Sequence, residues 1–435
     1  MRLVRFVLCA LLAIQIQATS ALAVKPTNDW PTFRGNGRTA VSQETGLLQE
    51  WPEGGPPLVW ETEGSGRGYA SLAIAGDRII TLGDVPQEGV DPAAAPGTDE
   101  FLLCYDRATG KPVWQTKVGP AWNEGKPDWQ SSRSTPTIDG DLVYALTAQG
   151  DLYCCQTATG KVKWHKNLKS DFGGTKGDNW GYSESPLVDG PNVVVTPGGE
   201  TTTMIALNKL GGKPVWSCVR PGDRGAGHSS IVISEIGKTR VYVQDTASGA
   251  MGVRAKDGKL LWSYEIDKTT AVIPTPIIRD DLVFFTAGYK RGGALLKQVP
   301  AANGDVKVEE IYPLNPKLAN KHGGIVLVGD YLYGDSDDQG IIFCADLMTG
   351  EQKWQSRGPG SKSASIAAAD GCLYIHYSSG VMCLAKASPE SFQELGHFTI
   401  PGSGERPSWA HPVIVGGRMY LRENGRILCY DVQAK

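Results

Sequence analysis

Apolar positions along this chain come in short alternating bursts and never settle into a helical period. Tyr69–Ala75 (YASLAIA), Arg78–Leu82 (RIITL) and Phe101–Tyr105 (FLLCY) are β-branched or aromatic runs bounded by Gly and Asp. Such runs read as strands joined by tight turns. No longer stretch repeats apolar residues at the spacing of an amphipathic helix, which argues against parallel α/β repeats.

The bursts themselves recur. Asp106-x-x-Thr109-Gly110-Lys111-x-x-Trp114 returns within Cys154–Trp164 (CCQTATGKVKW) and Phe343–Trp354 (FCADLMTGEQKW). Looser copies occupy Met204–Trp216 and Met251–Trp262. A period of about 50 residues marks a repeat architecture, and four strands per unit is the pattern of a propeller blade. Third strands are expected at 101–105, 152–156, 203–207, 250–254, 294–298, 341–345, 381–385 and 427–431. Fourth strands are expected at 58–62, 112–116, 162–166, 214–218, 260–264, 307–311, 352–356 and 394–398. In two copies the Trp gives way to Ile311 or Tyr312 and to Phe398. The chain opens on a lone fourth strand and ends on a unit that lacks one. The pattern therefore predicts an all-β, eight-bladed β-propeller of four-stranded W-motif blades over residues 58–435. Its ring is closed by the N-terminal strand completing the C-terminal blade, which leaves few exposed sheet edges.

Residues 24–57 read as a lead-in segment. Before them, Arg2 and Arg5 precede an apolar run, Phe6–Ile16, followed by Ala21-Leu22-Ala23. Positive residues, a short apolar stretch and a small-residue site in that order predict a secretory signal over 1–23. No later run is long enough to span a bilayer as a helix. The expected location is the periplasm or cell envelope.

Composition narrows the partners. The formal charge is −3 at pH 7, with no basic stripe, which argues against nucleic acid. Nine cysteines in an exported chain would suggest disulfides. Yet Cys104, Cys154, Cys344, Cys383 and Cys429 align at one repeat position, where Ala206 and Val253 stand in other copies. A site taking Cys, Ala or Val is a small buried apolar site. Cys154 and Cys155 are adjacent on a strand and are read as free thiols facing opposite ways.

Function is expected where the repeats differ. Turns between first and second strands are tight, as at Gly76-Asp77 and Gly140-Asp141, and emerge on one face. Longer connections, including Gly83–Glu100, Gly119–Ser132, Asn167–Gly181 and Pro401–Ser408, emerge on the other. Binding groups concentrate on loops held by a rigid scaffold. Residues just ahead of the innermost strands are expected to ring the channel mouth on that face: Tyr69, Arg133, Glu184, His228, His322, Trp409 and His411, with Trp129 and Trp180 nearby. This set suits a protein partner or an anionic aromatic ligand. The histidines come from well-separated units, and no metal site is predicted.

The recurrent Asp-x-x-Thr-Gly-Lys-x-x-Trp phrase resembles the pyrroloquinoline quinone (PQQ) repeat over about residues 30–435. That repeat builds the propellers of quinoprotein alcohol dehydrogenases and of the BamB component of the outer-membrane assembly machinery. The BamB-like resemblance implies a binding scaffold with no cofactor, the favoured reading. The dehydrogenase resemblance implies PQQ and Ca²⁺, with Glu184 as a calcium ligand. No match for that family's amide ligand or Asp base is found. The vicinal disulfide of those enzymes lies in a loop, unlike Cys154-Cys155. The lead-in Trp30-Pro31-x-Phe33-Arg34-Gly35 is similar to that of exported bacterial PQQ-like propellers.

Overall fold

The computed structural model describes residues 29–84, 99–126, 129–404 and 406–435. The expected signal segment, and most of the loop after Gly83, lie outside the described residues. Thirty-two strands form eight four-stranded antiparallel sheets. Seven blades follow one another along the chain, over residues 73–120, 137–167, 187–218, 232–263, 277–315, 326–357 and 364–399. In the eighth, strands within 413–431 are completed by Leu58–Thr62, which pairs antiparallel with Arg426–Asp431. One short helix, Leu168–Phe172, sits in a long loop, where the Asn167 side chain caps the backbone N–H groups of Lys169 and Ser170. That capping gives a single helical turn no periodicity could announce.

Eight apolar clusters lie between neighbouring blades, one at each joint. The joint between blades 8 and 1 gathers Val413, Tyr420 and Cys429 with Leu72, Ile74 and Ile79. The repeated phrase builds these joints. Asp106 Oδ1 accepts from the Thr109 N–H and hydroxyl at 2.9 and 2.7 Å, closing the turn. Gly110 follows with φ +71. A Cβ there would stand 2.5 Å from the Trp60 ring of the preceding blade. Gly160 meets Trp114, Gly212 meets Trp164, and Gly258 meets Trp216 in the same way. Each of those three indoles also donates to a carbonyl of the next blade, at Thr157, Lys209 and Ala255. The degenerate copies keep the contact with other rings, Tyr312 on Gly350 and Phe398 on Gly55. Gly55 belongs to the lead-in, so this segment supplies the turn glycine that the last blade lacks.

The described cysteines are free and buried. Cys154 packs into the joint towards blade 3 and its neighbour Cys155 into the joint towards blade 1, as alternation along a strand dictates. The repeat alignment needs one correction. Cys104, Cys154, Cys344 and Cys429 each face the aromatic of the fourth strand, but in blades 4 and 7 that place belongs to Gly252 and Met382. Val253 and Cys383 are one residue along and face the opposite joint. In blade 4 the bulge follows Gly252 as it follows Cys104 in blade 1, so counting back from Trp262 gives the register; in blade 7 it comes two residues after Met382, between Leu384 and Ala385, and the count fails.

The lead-in crosses the channel as a plug. Trp30 exchanges backbone hydrogen bonds with Ile74 of blade 1, and Ala40 and Ser42 bond to Ala368 of blade 7. Between them, Arg38 donates to the carbonyls of Ser185, Pro186 and Ile231, and Arg34 to that of Ile325. Arg34, Arg38 and Ala40 have φ of 62, 57 and 58. Such left-handed residues persist only where surrounding contacts over-determine them.

Candidate functional site

Six of the eight innermost strands have only three residues, paired beside the tight-turn face, while those of blades 4 and 7 run over Val232–Ile236 and Ala364–Ala369. Above that level a ring of hydroxyls joins neighbouring blades. The Ser71 N–H donates to Thr135 Oγ1 at 2.9 Å, Thr135 N–H to Ser185 Oγ at 3.1 Å, Ser185 N–H to Ser230 Oγ at 3.0 Å, and Ser230 N–H to Thr275 Oγ1 at 3.2 Å. In blade 6 the ring position is Gly324, and the Arg34 guanidinium fills the space its missing side chain leaves.

Two residues before each ring position stands a channel-mouth residue, because an extended chain repeats its facing every second residue. These are Tyr69, Arg133, Ser183, His228, Ile273, His322, Ser363 and Trp409. Above the plug, all of these but Ser363 line a cavity of about 380 Å³. Six of the residues expected at the mouth line it: Tyr69, Arg133, His228, His322, Trp409 and His411. Trp129 and Trp180 line it too, and Phe33 and Arg34 of the plug complete it.

Glu184 does not reach the cavity. It is one residue out of phase with Ser183, and its carboxylate turns into the wall. There it accepts from the Thr196 N–H at 2.7 Å, from the Thr196 hydroxyl at 3.1 Å and from Gln244 Nε2 at 3.2 Å. Burial raises its carboxyl to about 8. The expectation places Glu184 at the mouth; its neighbour Ser183 has the facing parity and lines the cavity instead. Arg34 and Phe33 had no functional reading in the sequence, since nothing in an irregular lead-in announces a path through the channel.

One wall is a column of stacked groups. Trp409 lies between His322, at 4.3 Å and 11° from parallel, and Tyr69, at 4.4 Å. The Arg133 guanidinium continues the column, 5.4 Å from the Tyr69 ring and 5.3 Å from Trp122. Both faces of Trp409 are therefore covered, and the column ties together loops of blades 1, 2, 6 and 8.

Two polar relays flank the cavity. His228 contacts Asp178 Oδ2 at 2.8 Å through Nε2 and Ser183 Oγ at 2.5 Å through Nδ1. His322 Nδ1 contacts Ser363 Oγ at 2.9 Å, and that hydroxyl donates to Asp338 Oδ1 at 2.6 Å. Burial pushes His228 down to about 4 and His322 to about 3, against the pull of these carboxylates. Burial also holds His411 well below its ordinary value. All three are neutral at pH 7. As neutral imidazoles, His228 and His322 each hold a mouth serine, Ser183 and Ser363.

A calcium–quinone centre would need several hard oxygens converging on the cavity. Glu184 is engaged within the wall, and Asp338, the carboxylate that lines the cavity, is paired with Lys321 at 3.2 Å. Cys154 and Cys155 point into blade joints. These residues do not fit such a centre. No cluster of three or more His, Cys, Asp or Glu able to hold a metal occurs among the described residues.

Fold and site together define a PQQ-type eight-bladed propeller with a plugged channel and a mouth built from non-repeating residues. The chain belongs to the family described as outer membrane protein assembly factor BamB, whose model matches residues 98–356. BamB of Bordetella pertussis is 23% identical over 331 residues, covering 72% of this chain and 73% of its own. Among solved structures, BamB from Moraxella catarrhalis superposes with a TM-score of 0.59 at 15% identity, over 87% of this chain and 98% of that one. Quinohemoprotein alcohol dehydrogenase from Comamonas testosteroni superposes with a TM-score of 0.62 at 13% identity, over 94% and 81%. At such identities the structural likenesses speak for the fold alone. No helix among the described residues is long and apolar enough to cross a membrane.

Proposed function

We propose that this chain is a non-catalytic, BamB-like scaffold of the cell envelope that holds a protein partner on its long-loop face and works without a cofactor. The observation that carries this reading is the family match over residues 98–356. By analogy with the relative's name, the partner belongs to the assembly of outer membrane proteins. Two features of the site support it. Asp338, the carboxylate that lines the cavity, is paired with Lys321, and Glu184, which the dehydrogenase resemblance implies as a calcium ligand, faces away from the cavity. The proposed location rests on the signal-like residues 1–23 and on the same family. Residues 1–23 lie outside the described structure.

The alternative, a PQQ- and Ca²⁺-dependent alcohol dehydrogenase, rests on likeness of fold, which does not fix function. One experiment separates the two. The purified chain is used as bait for a solubilised outer-membrane fraction, and in parallel is incubated with PQQ and Ca²⁺. The scaffold reading expects one partner in fixed ratio and no dye-linked alcohol oxidation. Saturable quinone binding with turnover would overturn it.

A further inference from the structure

We propose that the channel-mouth cavity is an anion pocket for a small organic acid, with a carboxylate or phosphate head held by Arg34 and Arg133 and an apolar body resting on the surrounding rings. Arg34 is 2% exposed and lines the cavity floor. Its hydrogen bonds go to the backbone carbonyls of Arg38, Thr39 and Ile325, and Nη1 is buried with no partner. The Arg133 side chain donates to the Trp129 carbonyl and leaves Nε buried and unpaired. Gly324 stands between Arg34 and His411: a Cβ there would collide with Arg34 Nη1 and lie 3.3 Å from His411 Cε1. The unpaired Arg34 Nη1 thus lies where the hydroxyl ring is interrupted, and Arg133 lines the same cavity.

The charges around the cavity do not balance. Lys321 is matched by Asp338, and Lys176 lies 3.9 Å from Asp178. Among the described residues, neither Arg34 nor Arg133 forms an ion pair. Burying a guanidinium without a counter-charge is costly, and buried donors without partners are rare enough to require an explanation. An incoming anion satisfies both. Guanidinium groups suit carboxylate and phosphate heads alike. The cavity, about 380 Å³, is far larger than a bare ion needs and within the range of small-molecule sites. Phe33, Trp180 and Ile273 supply apolar wall beside the two cations. This pocket is independent of the scaffold reading, since a partner and a small acid could use the same face separately.

The test is isothermal titration of the full chain with 2-naphthoate, 2-naphthyl phosphate, the neutral 2-naphthamide and inorganic phosphate. At least one aromatic acid is expected to bind one per chain, about tenfold or more tighter than the amide. The better of the two acids identifies the head group. Arg133→Gln is expected to weaken the acid by about tenfold and leave the amide unchanged. Arg34→Gln is expected to do the same, with thermal melts reporting whether the plug survives; Arg133→Gln decides the matter if it does not. The proposal falls if acids and amide bind alike, if Arg133→Gln leaves acid binding intact, if inorganic phosphate binds but neither aromatic acid does, or if no ligand binds by millimolar concentration. Partner capture by the same variants bears on the scaffold and not on the pocket.

Discussion

Gly160 and Gly140 lie in the same blade at φ +71 and +58, yet a methyl group would meet different surroundings at each. At Gly160 it would stand 2.5 Å from the Trp114 ring, and at Gly140 it would meet nothing within 4 Å. Gly140→Ala is expected to cost about 1 kcal/mol, the left-handed penalty alone. Gly160→Ala adds overpacking and is expected to cost about 2–4 kcal/mol; urea unfolding of the pair checks the difference. Glu184 and Glu100 offer a second test. Burial raises both from 4.5 to about 8. Since the folded value exceeds the unfolded one, their contribution to stability is complete below about pH 4.5 and is lost as pH rises through about 8. Glu184→Gln, neutral throughout, is expected to lose less stability than the parent chain across that window, and indistinguishable melting profiles would refute the assignment. At this scale the sequence was partly legible. Residue types at the mouth could be named, but whether Ser183 or Glu184 faced the channel depended on a parity that no local pattern fixed.

Strands were the most legible elements. Third and fourth strands lie within a few residues of their expected positions, because turn chemistry at Asp, Thr and Gly and the aromatic staple recur with the blade. Blade 5 departs most, its third and fourth strands extending over Gly292–Pro300 and Val306–Asn315 with irregular register. The lead-in was illegible as structure. It has no period, and its path is set by arginines that reach carbonyls on distant blades. Arg38 holds that path, and Arg38→Met would leave the carbonyls of Ser185, Pro186 and Ile231 short of a donor. A loss of about 3 kcal/mol is expected, with faster proteolytic cleavage within residues 29–57. A melting midpoint and digestion rate equal to those of the parent chain would show that the plug does not depend on this residue. Thiol chemistry adds an element-level test of the strands. The eight described cysteines are buried and unpaired, so in the chain without residues 1–23, which hold Cys9, a thiol reagent is expected to label none natively and all eight after denaturation without reductant. Fewer would reveal a disulfide.

For the molecule as a whole, repetition and function divide the chain between them. Residues that repeat form turns, joints and the closing strand, and they account for the family membership. Residues that do not repeat form the plug, the stacked column and the two relays, and they converge on one mouth. The face of tight turns carries exposed apolar side chains too, with Leu210 66% exposed, so the choice of working face is open to direct test. The decisive measurement is capture of the partner by two single variants, Trp180→Glu at the mouth and Leu210→Glu in a turn between third and fourth strands, with circular dichroism confirming that both fold. The account predicts that Trp180→Glu abolishes capture and Leu210→Glu leaves it unchanged. Capture that survives Trp180→Glu and is lost with Leu210→Glu would contradict it.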